Sequence, residues 1–98
     1  MKVSVKICGI TDERGLTAAM DAGAAFVGFV FFRHSPRYVT LDQAAHLTAM
    51  VERGVTAVGL FVDPSDAELE TVLGDVRLDM IQLHGEETPA RVDQVRRL

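Results

Sequence analysis

The chain has 98 residues, 48% of them hydrophobic and 24% charged, a balance that fits one globular domain or part of one and excludes a disordered segment. A formal charge of −4 without a basic run, and without aromatics interleaved among Lys and Arg, excludes a nucleic-acid surface. No apolar stretch approaches the ~20 residues of a membrane helix, Met1, Lys2, Val3 and Ser4 open no signal-peptide core, and Cys8 as the one cysteine excludes an internal disulfide or a multi-cysteine zinc site; a cytoplasmic protein with no membrane partner is expected.

In chain order, β-branched and apolar runs predict strands over Lys2 to Cys8, Ala25 to Phe31, Thr56 to Val62 and Leu78 to Leu83. Capped helical spacing separates them. Thr11 precedes Leu16, Ala19 and Met20. Thr40 with Gln43 forms a capping box before Leu47 and Val51. The third helix opens near Asp63, Pro64 and Ser65 and buries Leu69, Val72 and Leu73. The fourth opens at Thr88, with Pro89 in the first turn where a missing amide costs nothing, and turns Val92 and Val95 inward. Gly23, Gly54 and Gly74 stand where helix ends take a left-handed residue. Residues 26–31 are apolar except for Gly28, as in a strand covered on both faces.

Strands spaced by helices imply parallel pairing, βαβαβαβα. Periodicity alone leaves open whether the sheet is flat and flavodoxin-like or curled into half a barrel. Two observations favour the half barrel. No glycine-rich phosphate loop or acidic cluster follows the first strand, whereas polar or reactive residues follow every strand: Cys8, then Ser35 and Arg37, then Asp63, then His84. In a barrel those positions share the rim on which active sites are built.

From the residues alone, Cys8 is a reactive thiol or a buried structural one. Arg37 is a rim residue of a ligand site or a solvated loop arginine. His84 is a site residue or a hydrogen-bonded structural one. Gly9 lets backbone approach a ligand or makes a turn. Asp63 reads as part of a helix cap. Of Phe31 and Phe32, one is expected to point into the core and the other toward the pocket, with core packing the default for both. His34 and His46 have no neighbours at metal-ligand spacing and read as structural or solvated.

Four segments, Lys6-Ile7-Cys8-Gly9-Ile10-Thr11, Ser35-Pro36-Arg37-Tyr38-Val39, Val58-Gly59-Leu60-Phe61-Val62 and Gln82-Leu83-His84-Gly85-Glu86, occur in the order and spacing of phosphoribosylanthranilate isomerases, which the chain resembles from its first strand to its fourth helix. The resemblance implies the first half of a (βα)8 TIM barrel, with residues 1–98 as one incomplete domain. It also implies a cofactor-free, metal-free Amadori rearrangement in tryptophan biosynthesis, converting N-(5′-phosphoribosyl)anthranilate to 1-(2-carboxyphenylamino)-1-deoxyribulose 5-phosphate. On the matching positions Cys8 is the general base, a task that suits a thiol at a strand-to-helix junction. Arg37 holds the anthranilate carboxylate through a planar guanidinium, and His84 contacts substrate.

The family's general acid, an aspartate on the fifth strand, and its glycine-rich phosphate loops after the last two strands have no counterpart in this sequence. The run Arg96-Arg97-Leu98 ends the sequence inside a helical pattern with no stop signal, and reads as a cut. The expectations are therefore an isomerase that needs the rest of its barrel, or a non-catalytic half barrel that self-associates or binds an aromatic carboxylate.

Overall fold

Parallel strands must be joined by crossovers that cover the sheet, and here each crossover is one short capped helix. The computed structural model describes residues 4–85 and 88–96. Among them the order is β1 (Lys6–Ile7), α1 (Glu13–Asp21), β2 (Phe26–Val30), α2 (Leu41–Ala49), β3 (Thr56–Phe61), α3 (Asp66–Asp75), β4 (Met80–Leu83) and α4 (Pro89–Arg96). All pairs are parallel, with Lys6 opposite Phe26, Phe26 opposite Thr56 and Val58 opposite Met80.

The strand order β1-β2-β3-β4 is sequential, which excludes the flavodoxin-like alternative, because a doubly wound sheet reverses direction at a switch point. Alternate residues of the middle strands, Val27 and Phe29 with Ala57 and Phe61, pack in one core with Phe31 just beyond β2 and with Leu16, Ala19, Ala44, Leu47, Leu69, Val72 and Val95 of the helices. Helices from every crossover thus share one face of the sheet. Phe31 and Phe61 stack there, with centroids 5.0 Å apart and planes within 10°.

The opposite face carries the other alternation, Lys6, Gly28, Val30, Val58, Leu60 and Gln82. Val30 and Val58 are buried without belonging to the helix-side core. Lys6 Nζ donates to Gln82 Oε1, although β1 and β4 are three ladder spacings apart, roughly 14 Å on a flat sheet. Side chains stand nearly perpendicular to a sheet, so these two meet only because the face is concave. The sheet is curled, as in a half barrel.

Three of the expected caps hold. Thr40 and Gln43 exchange both capping-box bonds, at 3.2 and 2.9 Å, and Thr88 Oγ1 accepts from Arg91 N at 3.2 Å. Ser65 Oγ accepts from Glu68 N at 3.1 Å and is the cap of α3, so Asp63 is not; it sits upstream with φ 45°. Asp12, not Thr11, caps α1: its Oδ1 accepts from Gly15 N at 2.7 Å, and a carboxylate at least matches a hydroxyl as an acceptor there.

Gly23 and Gly54 adopt the expected left-handed backbone. Gly74 does not: it lies inside α3, which leaves through Val76 in an extended conformation. Leu73 and Val92 are half-buried rather than core. The expected strands overrun the observed ladders. Cys8, Phe31 and Val62 all fall in rim loops, Leu78 precedes β4, and the expected start of β1 at Lys2 lies outside the described residues. The β-branched runs continue past the point where the ladder stops. At the far end of the barrel Asp79 closes the β3–β4 junction, accepting from Ala57 N at 2.9 Å through Oδ2 and donating its own N–H to Ala57 O.

Candidate active site

The site is assembled where β1 and β2 end. After β1 the chain doubles onto the neighbouring strand: Gly9 N and Ile10 N both donate to Gly28 O at 3.0 Å. Cys8 heads this turn and is exposed, which removes the reading of a buried structural thiol. The helix is not immediately adjacent, since α1 opens only at its cap Asp12.

The loop after β2 is folded by Ser35. Its N–H donates to Phe32 O, its carbonyl accepts from Tyr38 N, and its Oγ accepts from Arg37 N at 3.1 Å. Val39 N then returns to Val30 O and Tyr38 forms a parallel bridge with Val30. The loop therefore runs back beside the strand it left, and this return brings Arg37 to Cys8's turn.

Gly9 has φ 81°, and a Cβ built on it would lie 2.4 Å from Arg37 Cδ and 3.0 Å from Nη1. The turn is present at Gly9, and the space its missing side chain leaves is filled by Arg37. The Arg37 side chain accordingly lies along the backbone next to Cys8 while the residue remains exposed. The structure thus gathers Cys8, Gly9 and Arg37 at one point of the rim.

His84 stands apart from them. It follows β4, donates its backbone N–H to Phe61 O at 2.8 Å, and is exposed. Strand alternation relates the two sides: Lys6 and Gln82 meet across the concave face, and Cys8 and His84 lie two residues further along β1 and β4. Both are placed above the same hollow, on opposite walls.

Other expectations separate cleanly. Phe31 is buried against Phe61, whereas Phe32 is half-buried and meets the ring of His34 edge-on, with centroids 5.2 Å apart; core packing thus holds for Phe31 only. His46 Nε2 lies 2.5 Å from Glu13 Oε1 and links α2 to α1. Among the described residues no three His, Cys, Asp or Glu side chains converge as a metal site, and no helix is long and apolar enough to cross a membrane. Glu86, the last residue of the fourth motif, and the terminal Arg97 and Leu98 lie outside the described residues.

Two features of the site went unrecognised in the sequence. Lys6 and Gln82 are 76 positions apart, and no local signal pairs them. Gly28 did leave a signal, as the single interruption of an apolar strand, a usual mark of close backbone approach.

Residues 5–97 match the family model described as N-(5'phosphoribosyl)anthranilate (PRA) isomerase. The N-(5'-phosphoribosyl)anthranilate isomerase of Paracoccus denitrificans is 64% identical over 96 residues, covering 98% of this chain and 45% of its own length. The crystal structure of phosphoribosyl anthranilate isomerase from Thermotoga maritima superposes with a TM-score of 0.93 at 34% identity, over 98% of this chain and 47% of that one. A structure of such an isomerase in complex with reduced 1-(o-carboxyphenylamino)-1-deoxyribulose 5-phosphate matches with the same TM-score, 0.93, over 98% of this chain and 50% of its own. The chain therefore spans about half the length of the relatives it matches.

Proposed function

The chain belongs to the N-(5'phosphoribosyl)anthranilate isomerase family, and we propose that it forms the base-bearing half of an active site that isomerises N-(5′-phosphoribosyl)anthranilate. The observation that carries this reading is the contact of Arg37 with Gly9, beside Cys8, because it sets a carboxylate-binding cation next to a thiol on the barrel rim.

In this reading the Arg37 guanidinium bonds the anthranilate carboxylate, the group shared by substrate and product. That fixes the aromatic end and leaves the sugar over the hollow. Once an acid has opened the furanose to the protonated imine, Cys8 removes the proton from the neighbouring sugar carbon. The C–H electron pair becomes the new C=C bond and the imine π pair returns to nitrogen, giving an enol-amine that tautomerises to the ketose. His84 contacts the substrate from the opposite wall. The opening acid and the phosphate-binding loops belong to the remaining half of the barrel. No cofactor takes part, and the setting is the cytoplasm.

The test is a chimaera in which residues 1–98 are joined to the remaining part of the Paracoccus denitrificans relative. It should turn over N-(5′-phosphoribosyl)anthranilate, and absence of turnover in a folded chimaera would reject the reading. In the same background Arg37→Ala removes a charge-assisted pair, so KM should rise roughly 10- to 100-fold. An unchanged KM would take the carboxylate contact away from Arg37.

A further inference from the structure

The geometry points to Gly28 as the residue that positions Cys8, an inference that rests on the reading of Cys8 as the base. Gly28 is buried in the middle of β2, opposite Val58. Its backbone does not require glycine, since the glycines with positive φ among the described residues are Gly9, Gly23 and Gly54. What requires glycine is space. A Cβ built on Gly28 would lie 2.9 Å from Cys8 Sγ, 3.2 Å from Cys8 Cα and 3.4 Å from Cys8 Cβ.

The closest of those atoms is the thiol sulfur, which would have to turn aside, and one is backbone, whose crowding no rotation of the Cys8 side chain relieves. The turn itself would have to move. The same residue holds that turn from its other side, because Gly28 O accepts from both Gly9 N and Ile10 N at 3.0 Å. The carbonyl draws the segment onto β2 while the bare Cα lets it seat, and together they set how far the thiol stands over the hollow.

Gly28 supplies no reacting atom in this account; it acts through Cys8. In the chimaera, Gly28→Ala should lower kcat by roughly 10-fold, since the Cys8 backbone must give by a few tenths of an ångström and its sulfur must turn aside, less than the misplacement of about 1 Å that costs about 100-fold, with KM changed by less than about 3-fold. A merely structural defect would not produce that split. Melting temperatures then form a cycle of Gly28→Ala, Cys8→Ala and the double variant. The loss caused by Gly28→Ala should be smaller by about 3 °C or more when the thiol is absent.

If Gly28→Ala does not fold but the double variant does, the coupling is established in its strongest form. Equal losses in both backgrounds, failure of both to fold, or wild-type kcat in Gly28→Ala would overturn the proposal. The cycle needs no turnover. An inactive parent chimaera would therefore reject Cys8 as the base while the melting temperatures still decide whether Gly28 sets its position.

Discussion

Cys8→Ser in the completed barrel is expected to lower kcat by about 10²- to 10⁴-fold, the usual contribution of a positioned general base, while leaving the fold and KM nearly unchanged. The two halves of that expectation come from different observations. Cys8 is exposed and outside the core, so a smaller side chain there opens no cavity, and a change at such a position ordinarily stays within about 0.5 kcal/mol. The oxygen also meets no new obstruction, because it is smaller than the sulfur it replaces and Gly28 beside it carries no side chain.

What the substitution removes is proton affinity of the right kind, since a thiol supplies a useful fraction of its anion near neutrality and a serine hydroxyl does not. KM should hold, because the carboxylate contact lies on Arg37. The measurement is steady-state turnover with a melting curve on the same samples. Turnover within a factor of a few of the parent would show that Cys8 is a bystander to the proton transfer. A large fall in melting temperature would show that its role is structural.

The elements and their parallel order were readable because they depend on local pattern: β-branched runs for strands, Thr40 with Gln43 and Thr88 with Pro89 for helix starts. Errors gathered at element ends, where local rules compete. Thr11 and Asp12 are adjacent acceptors, and only the bond to Gly15 N selects Asp12. Gly74 had the composition of a helix end, yet α3 continues through it to Asp75. The site was legible as a set of rim positions, which follow from strand order alone, but not as a constellation. The Arg37 side chain reaches Gly9 only because the loop after β2 returns along its own strand. The Lys6 to Gln82 bond needs the curvature of the whole sheet. Spacing along the chain encodes neither.

That same curvature leads to the second large effect, expected of the 98-residue chain by itself. Burial falls from the middle of the sheet to its edges: β2 and β3 are almost wholly buried, whereas β1 and β4 are exposed to half-buried. Met80 on β4 and Val5 beside β1 are each 49% exposed. A groove of about 590 Å³ runs along β4, lined by Leu73, Leu78, Met80, Ile81, Val92 and Val95 among others. The chain's surface is 6482 Å² for a mass of 10.7 kDa, against roughly 5500 Å² for a compact monomer of that mass.

The surplus of about 1000 Å² matches the area one partner contributes to a stable protein interface. Among the described residues β1 and β4 are the edges of the sheet, and an edge strand presents unpaired backbone groups. In isolation the chain should therefore elute on size exclusion as dimers or larger species and bind a dye that reports exposed apolar surface. When the complementary half of the Paracoccus denitrificans relative is supplied, both properties should disappear into one complex of defined size, because ring closure removes the edges and covers the groove at once. A compact monomer that ignores the complementary half would mean that the open strands are protected within this chain, and that the concave face is a finished surface rather than half of one.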